Sequence, residues 1–269
     1  MKRKSPVRPK GSLACVGVGI TLGSHITPLA RSHIEQADVV FVAASDGIVE
    51  KWVESMNADV RSLQPYYREG KSRMTTYRQM VDAILTEVRA GKKVCAAFYG
   101  HPGVFAWATH KSIAIARKEG FEAHMEPGIS AEDCLYADLG IDPGTFGCQH
   151  YEASQLLFYG CRIDTAAYLV LWQAGTVGDQ PFARSAPDIA YQQVLVERLA
   201  EDYPLSHKII VYRAATLPIH APRIERVTLG KLAQARVEAP DTLVIPPARK
   251  PAPNTKLLRR LAKLRRSRA

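Results

Sequence analysis

A chain of 269 residues, 46% hydrophobic and 23% charged, suits one large or two smaller globular domains with an adequate core. No apolar run approaches the roughly 18 residues that a membrane helix needs, and the N-terminal "MKRKSPVRPK" lacks the apolar stretch of a signal peptide, so a soluble, cytoplasmic protein is expected. The formal charge of +10 sits at the ends: residues 1–10 hold five Lys/Arg and residues 249–269 hold nine, which leaves 22 basic against 26 acidic residues between them and argues against a folded nucleic-acid-binding patch.

After a basic N-terminal extension (1–11), "LACVGVG" (13–19) reads as a strand. A helix near 28–37, a strand "DVVFVAA" (38–44), a helix near 46–56 and a short extended segment "DVRSLQ" (59–64) follow. The best-marked helix is predicted over 76–90. Thr76 and Gln79 have capping-box spacing, Tyr77, Val81, Ile84, Leu85 and Val88 form one apolar stripe, and Gly91 supplies the stop. A strand over 93–98, a helix over 107–119, a strand "FEAHME" (121–126) and a helix opening after Pro127-Gly128 continue the alternation. Such alternation predicts an α/β domain over 12–146 with a mostly parallel, doubly wound sheet. Beyond it, a strand "AYLVLWQAG", a helix over 189–203, a strand "HKIIVYR", a proline-rich link and a strand "TLVIPP" predict a second, smaller α/β domain over 147–248 with mixed strand directions. The tail at 249–269 places Leu257, Leu261 and Leu264 on one stripe of a basic amphipathic helix, expected to be solvated.

In a doubly wound sheet, ligands bind beyond the carboxyl ends of the strands, where "GVGI" from Gly17 and "FYGHPGVF" (98–105) fall. The first is not a G-x-G-x-x-G fingerprint, since its sixth position is Leu22, and the chain has no P-loop lysine. In the second, glycines let the backbone approach a ligand while proline fixes φ; the loop is either a shaped backbone surface or a simple connecting turn. "EPGISAED" (126–133) opens a helix with Ser130 and first-turn N–H groups that suit a polar ligand or an ordinary N-cap. The five cysteines, Cys15, Cys95, Cys134, Cys148 and Cys161, form no C-x-x-C pair, which argues against disulfides and zinc knuckles; Cys148 and His150 lack a second ligand pair, and no metal is expected.

The ordered set "VGVG", "YGHPGVF", "PGISA", "LWQAG" and "DTLVIPP" resembles the tetrapyrrole-methylase superfamily, which implies two α/β domains with S-adenosylmethionine in the cleft between them and S-adenosylhomocysteine as product. Within it, "YYREGKSRMTTYRQM", "AIARKEGFEAHMEPGISAEDCLYADLGIDPGTFGC" and "EASQLL" are similar to the borosin peptide-backbone α-N-methyltransferases over about residues 12–248. Carried over by that resemblance, cofactor contacts fall on Tyr99, His101, Val104, Ser130, Ala131, Gln173, Tyr212, Thr242 and Leu243, and the catalytic set on Arg73, Tyr77 and Tyr99 with Tyr67 in support. Read without it, Tyr77 is core, Arg73 a surface charge and Tyr67 a loop aromatic.

Fungal members of that family carry their substrate peptide on a long C-terminal extension, whereas this sequence stops about twenty residues after "IPP", which points to the split form with a separate precursor peptide as partner. The resemblance also implies a homodimer and a chemistry that needs no metal, while the apolar pattern and the terminal placement of the charge lead to no membrane and no nucleic-acid partner being expected. The expected reaction is methylation of backbone amides, with Tyr77 as base in the form of a phenolate, favoured by Arg73 and the start of helix 76–90, or of a hydrogen-bond relay, and with Arg73 or Tyr99 donating to the imidate oxygen; which group takes the proton stays open. Two alternatives stay open: a tetrapyrrole, small-molecule or RNA methyltransferase of the same superfamily, and a non-catalytic nucleic-acid-binding or scaffold protein.

Overall fold

The computed structural model describes residues 11–68, 70–179 and 188–267, so the N-terminal extension, Gly11 apart, lies outside the described residues. These divide into two compact units: 11–141 with Asp179 and 212–224, and 142–178 with 188–211 and 225–267.

The first unit holds strands β1 (Ser12–Gly17), β2 (Val39–Ala43), β3 (Val60–Ser62), β4 (Lys93–Phe98) and β5 (Glu122–Glu126), in the order β3-β2-β4-β1-β5 and with every neighbouring pair parallel. Strands such as "VVFVA", buried at each residue, suit a parallel sheet because both of its faces must be covered. The helices between them are α1 (Pro28–Glu35), α2 (Gly47–Glu54), α3 (Arg73–Arg89), α4 (Trp107–Lys118) and α5 (Ala131–Leu139). Alternation along the strands sends Leu13, Phe41 and Ala96 to one face, against Met80, Ile84 and Ile113 of α3 and α4. Ala14, Val40 and Cys95 go to the other, against Ala30, Ile34 and Val53 of α1 and α2. Each fully buried Val, Leu, Ile, Phe or Met among them contributes about 1.5–3 kcal/mol.

Caps fix where these helices begin. Thr27 accepts the Ala30 N–H at 3.0 Å with Pro28 in the first turn, and Asp46 accepts the N–H groups of Ile48 and Val49. Helix α3 corrects the sequence reading, since it starts at Arg73, one turn before Thr76, and the Thr76–Gln79 capping box does not form. Thr76 is buried and donates to the Tyr66 carbonyl at 3.1 Å, while Gln79 accepts from Lys71. Gly91, with φ of 90°, ends the helix as expected.

The second unit is built on a mixed sheet of β6 (Cys148–Glu152), β7 (Tyr168–Trp172), β8 (Lys208–Arg213), β9 (Arg223–Thr228) and β10 (Thr242–Ile245), ordered β6-β7-β10-β8-β9. Strand β7 runs parallel to β6 and antiparallel to β10. Its core packs Leu169, Leu171 and Val211 against Leu195 and Leu199 of helix α8 (Ile189–Ala200), with α6 (Pro143–Phe146) and α7 (Ala153–Phe158) before it in the chain. The sequence reading passed over β6, β9, α6 and α7. "CQHYE" and "RIERVT" lie on the two edges of the sheet, where polar residues are tolerated and the apolar signal fades. The tail forms helix α9 (Thr255–Arg266), capped by the Asn254 side chain, with Leu257, Leu261 and Leu264 about half exposed as expected. Among the described residues no helix is long and apolar enough to cross a membrane.

Candidate active site

Beyond the carboxyl ends of β1, β4 and β5, three loops pack bare backbone against bare backbone. Gly19 and Gly100 exchange N–H···O bonds of 3.2 and 2.8 Å, and a Cβ on Gly17 or Gly128 would stand 2.4 or 2.3 Å from the Gly100 carbonyl oxygen. Only glycine fits at these positions.

The loop from Tyr99 to Ala106 is then pulled into shape by its own polar groups. His101 Nδ1 accepts the Gly103 N–H at 2.9 Å, His110 Nε2 lies 2.9 Å from the Gly103 carbonyl, and Thr109 donates to the carbonyls of Pro102 and Ala106. Tyr99, Val104 and Phe105 are left substantially exposed at its surface. Phe105 has φ of 51°; among the described residues it shares the left-handed region with one other non-glycine residue, Gln173 at 56°. Such strain, of order 1–3 kcal/mol each, gathers at functional sites.

The four expected catalytic residues come together in the first unit. Tyr67 meets Tyr77 edge-on at 6.5 Å between ring centroids and shares a hydrogen bond with it, and Tyr77 stacks on Trp107 at 6.4 Å. Arg73 precedes Tyr77 by one helical turn, so both project from the same face of α3. Its charge acts on both Tyr67 and Tyr99. Burial, and then the neighbouring Tyr77 and Tyr99, hold the Tyr67 phenol well above its ordinary range, with Arg73 pulling the other way. Tyr99 is raised too, chiefly because neighbouring atoms crowd water from its hydroxyl although half of the residue is exposed. Both phenols therefore stay protonated, as hydrogen-bond donors, at neutral pH.

Ser130 caps α5 and is more committed than the sequence suggested. Its hydroxyl accepts the N–H groups of Glu132 and Asp133 and donates to the Asp133 carboxylate at 2.7 Å, while that carboxylate also accepts the Ser130 N–H. Tyr212 is fully buried and donates to Asp138 at 2.7 Å; burial, then that bond, raises its phenol pKa.

In the second unit, Gln173 follows β7 and caps a short 3-10 turn at Ala174–Thr176. The buried Asp241 fixes this region: its carboxylate accepts the Glu238 N–H at 2.7 Å, and its carbonyl accepts the Ala174 N–H at 3.3 Å. Thr242 and Leu243, next in the chain, are buried, and the Leu243 side chain belongs to the core of this unit, which leaves its backbone for any ligand.

Sequence reasoning missed Asp133, Asp138, Trp107 and Asp241. The S-x-x-D spacing of a capping box makes Asp133 readable, whereas Trp107 and Asp138 have partners far off in sequence, and Asp241 joins a nearby amide, Glu238, to a distant one, Ala174. His150 accepts from Trp172 Nε1 at 3.2 Å, a structural role.

The sequence profile of the family described as Tetrapyrrole (Corrin/Porphyrin) Methylases matches residues 12–233. This chain belongs to that family. As a tetrapyrrole-methylase-family protein it is 46% identical over 224 residues to a methyltransferase/ribosomally synthesized type I borosin cyclic peptide precursor of Coprinopsis marcescibilis, covering 82% of this chain and 57% of that protein. It is 41% identical over 255 residues to the methyltransferase/ribosomally synthesized cyclic peptide omphalotin A precursor of Omphalotus olearius, covering 93% and 61%. The chain thus spans about three fifths of the length of these relatives. Among solved structures, a cobalt precorrin-4 methyltransferase aligns over 90% of this chain and 97% of its own, with TM-score 0.63 and 17% identity. A uroporphyrin-III-C-methyltransferase from Thermus thermophilus aligns over 88% and 93%, with TM-score 0.61 and 20% identity, and both confirm the expected α/β fold.

The residues present in this methylase-family chain fit S-adenosylmethionine, taken unit by unit. In the first unit, the glycine-packed strand ends hold exposed apolar and aromatic side chains beside polar backbone, as a ligand with a heterocycle, a sugar and an amino acid requires. In the second, the strained Gln173 and the Thr242 hydroxyl supply polar groups at the end of the sheet.

Proposed function

We propose that this chain is an S-adenosylmethionine-dependent methyltransferase acting on backbone amide nitrogens of a ribosomally made peptide carried on a separate precursor. The observation that carries the reading is the gathering of Tyr67, Arg73, Tyr77 and Tyr99 around the strand-end loops, a donor-rich cluster suited to an amide. The borosin precursor relatives support the peptide substrate.

A peptide nitrogen is a weak nucleophile because its lone pair is delocalised into the carbonyl. The chain must therefore draw charge onto the carbonyl oxygen, remove the N–H proton and hold the nitrogen in line for transfer. Tyr99, whose proton is tightly held, donates to the amide oxygen beside the positive charge of Arg73. Tyr77, reacting as its phenolate, accepts the N–H proton to become the phenol, and is oriented by its hydrogen bond with Tyr67 and by the stacked Trp107. When bound, S-adenosylmethionine supplies an electrophilic methyl group on a sulfonium sulfur. The residues that would hold it are Tyr99, His101, Val104, Ser130, Ala131 and Tyr212 of the first unit and Gln173, Thr242 and Leu243 of the second, each unit taken by itself, and the chemistry needs no metal. The same reading takes the protein as a cytoplasmic homodimer.

Tyr77→Phe and Arg73→Ala are expected to keep calorimetric affinity for S-adenosylhomocysteine and to lose about 100-fold or more in transfer rate, the scale of general acid–base catalysis. Near-normal turnover in both would remove the assigned roles. Co-expression with a candidate precursor, followed by tandem mass spectrometry, is expected to place methyl groups on backbone nitrogens of that second chain. Methylation confined to side chains, or to this chain itself, would overturn the substrate assignment.

A further inference from the structure

We propose that His33, His124 and Glu126 form a divalent transition-metal site of the zinc class on the first unit, apart from the candidate active site. Their ligand-capable atoms all lie within 4.8 Å of one another, a grouping that a sequence separation of 91 residues conceals.

Strand alternation brings the cluster together. His124 and Glu126 are two apart on β5, the edge strand of the sheet, and so share one of its faces. Met125 between them packs on the opposite face with the core beneath α3 and α4, and its sulfur lies 2.8 Å from the Cβ position of Gly103. The face bearing His124 and Glu126 is therefore the one covered by α1, and His33, in the last turn of α1, meets His124 there with ring centroids 5.0 Å apart. The Arg73–Tyr77 face of α3 belongs to the other side of the sheet.

The distances fit ligation better than hydrogen bonding. His33 Nε2 and His124 Nε2 stand 3.5 Å apart, long for a bond whose usual N–H donor distance is about 2.9–3.0 Å. Two nitrogens each about 2.0–2.1 Å from one zinc ion, at a tetrahedral angle, stand about 3.3–3.4 Å apart. His124 Nε2 and Glu126 Oε1 are separated by 3.6 Å, close to that same spacing.

The charges around the cluster are mixed. Lys93 opposes a cation here, and its ammonium is drawn to the Gln36 amide oxygen at 3.2 Å. The Glu126 carboxylate and the carbonyl end of α1 favour one. Two imidazoles and a carboxylate are a donor set that zinc takes with one further small ligand. An ion held so would tie α1 to the edge of the sheet.

The test uses the full chain, purified without a histidine tag and titrated with zinc chloride by calorimetry at pH 7.5. The wild-type chain is expected to bind one ion at micromolar affinity or tighter, with a raised melting temperature in its presence. His33→Ala, His124→Ala and Glu126→Gln should each weaken binding by more than about tenfold, the scale that even losses around a metal's direct ligands produce. His220→Ala, at an exposed histidine elsewhere, should leave binding unchanged. Binding should also weaken as pH falls, because protons compete with the metal for its ligand atoms. Folding of each variant is read from its metal-free melting curve, and Glu126→Gln together with the pH series decides the matter should a histidine variant fail to fold. Absence of binding by the wild type, or binding that survives these substitutions, would overturn the site.

Discussion

The two strand-end regions solve one problem in different ways. Each carries a non-glycine residue in the left-handed region, Phe105 in the first unit and Gln173 in the second, and each must hold that strain against relaxation. The first does so by leaving out side chains, so that Gly17, Gly100 and Gly128 meet backbone to backbone. The second relies on one buried carboxylate, Asp241, whose oxygen and carbonyl pin the Glu238 and Ala174 amides. A loop shaped by missing atoms tolerates no added methyl group. A loop shaped by a hydrogen bond fails when its acceptor is removed.

That difference orders the expected effects. Gly128→Ala should be the most damaging change, costing about 3 kcal/mol or more, the upper end of overpacking penalties, because its methyl would meet backbone that cannot turn aside. Gly23→Ala is the control. Gly23 has φ of 71° with no atom near its Cβ position, so only the left-handed cost of about 1–2 kcal/mol applies. Equal urea midpoints for the two variants would show that the glycine contact contributes nothing special.

Asp241→Ala comes next, at about 1–3 kcal/mol, the cost of the partly buried Glu238 amide left without its acceptor. Urea unfolding reads it directly, and an unchanged midpoint would mean that the second region is held by other means.

Smaller still is the effect of relieving the strain. Phe105→Gly and Gln173→Gly should leave stability unchanged or raise it by about 1 kcal/mol while weakening S-adenosylhomocysteine binding, as expected where strain is kept for function. A clear loss of stability in both, with affinity intact, would remove strain from the account.

What the sequence disclosed follows the same division. The parallel sheet was readable because strands such as "VVFVA" are apolar at each position and alternate with capped helices. The glycine loops were readable because a missing side chain is itself a letter of the sequence. Asp241, by contrast, looks like any turn aspartate until its burial is known, and edge strands such as "RIERVT" carry charges that mask them. The start of α3 was misplaced because Thr76 and Gln79 offer capping groups that tertiary partners, the Tyr66 carbonyl and Lys71, claim first. The His33–His124–Glu126 grouping was invisible since it depends on how α1 crosses the edge of the sheet.

The smallest expected effect separates two buried phenols, Tyr212 on β8 and Tyr203 just after α8. Burial and the Asp138 bond raise the Tyr212 pKa, and burial pushes that of Tyr203 up to about 12. A phenol whose folded pKa exceeds its unfolded value of about 10 binds its proton more tightly when folded, so its contribution is intact below pH 10 and is lost as pH rises toward the folded value. At pH 10.5 the loss reaches about 0.8 kcal/mol for a phenol still fully protonated in the folded chain. Stability measured by urea unfolding should therefore be insensitive to these groups from pH 8 to 9.5 and fall above pH 10. Tyr212→Phe and Tyr203→Phe should each flatten that fall, although both also lose a hydroxyl whose cost must be read at pH 8. Tyr212 has a carboxylate acceptor at 2.7 Å, so its replacement should lower stability at pH 8 by about 1 kcal/mol. The Tyr203 hydroxyl is buried without a protein hydrogen-bond partner among the described residues, so its replacement should be neutral or stabilising there. Opposite signs at pH 8 with parallel flattening above pH 10 would distinguish a bonded phenol from one that is merely buried. Identical behaviour would mean that the Asp138 bond adds nothing to burial alone.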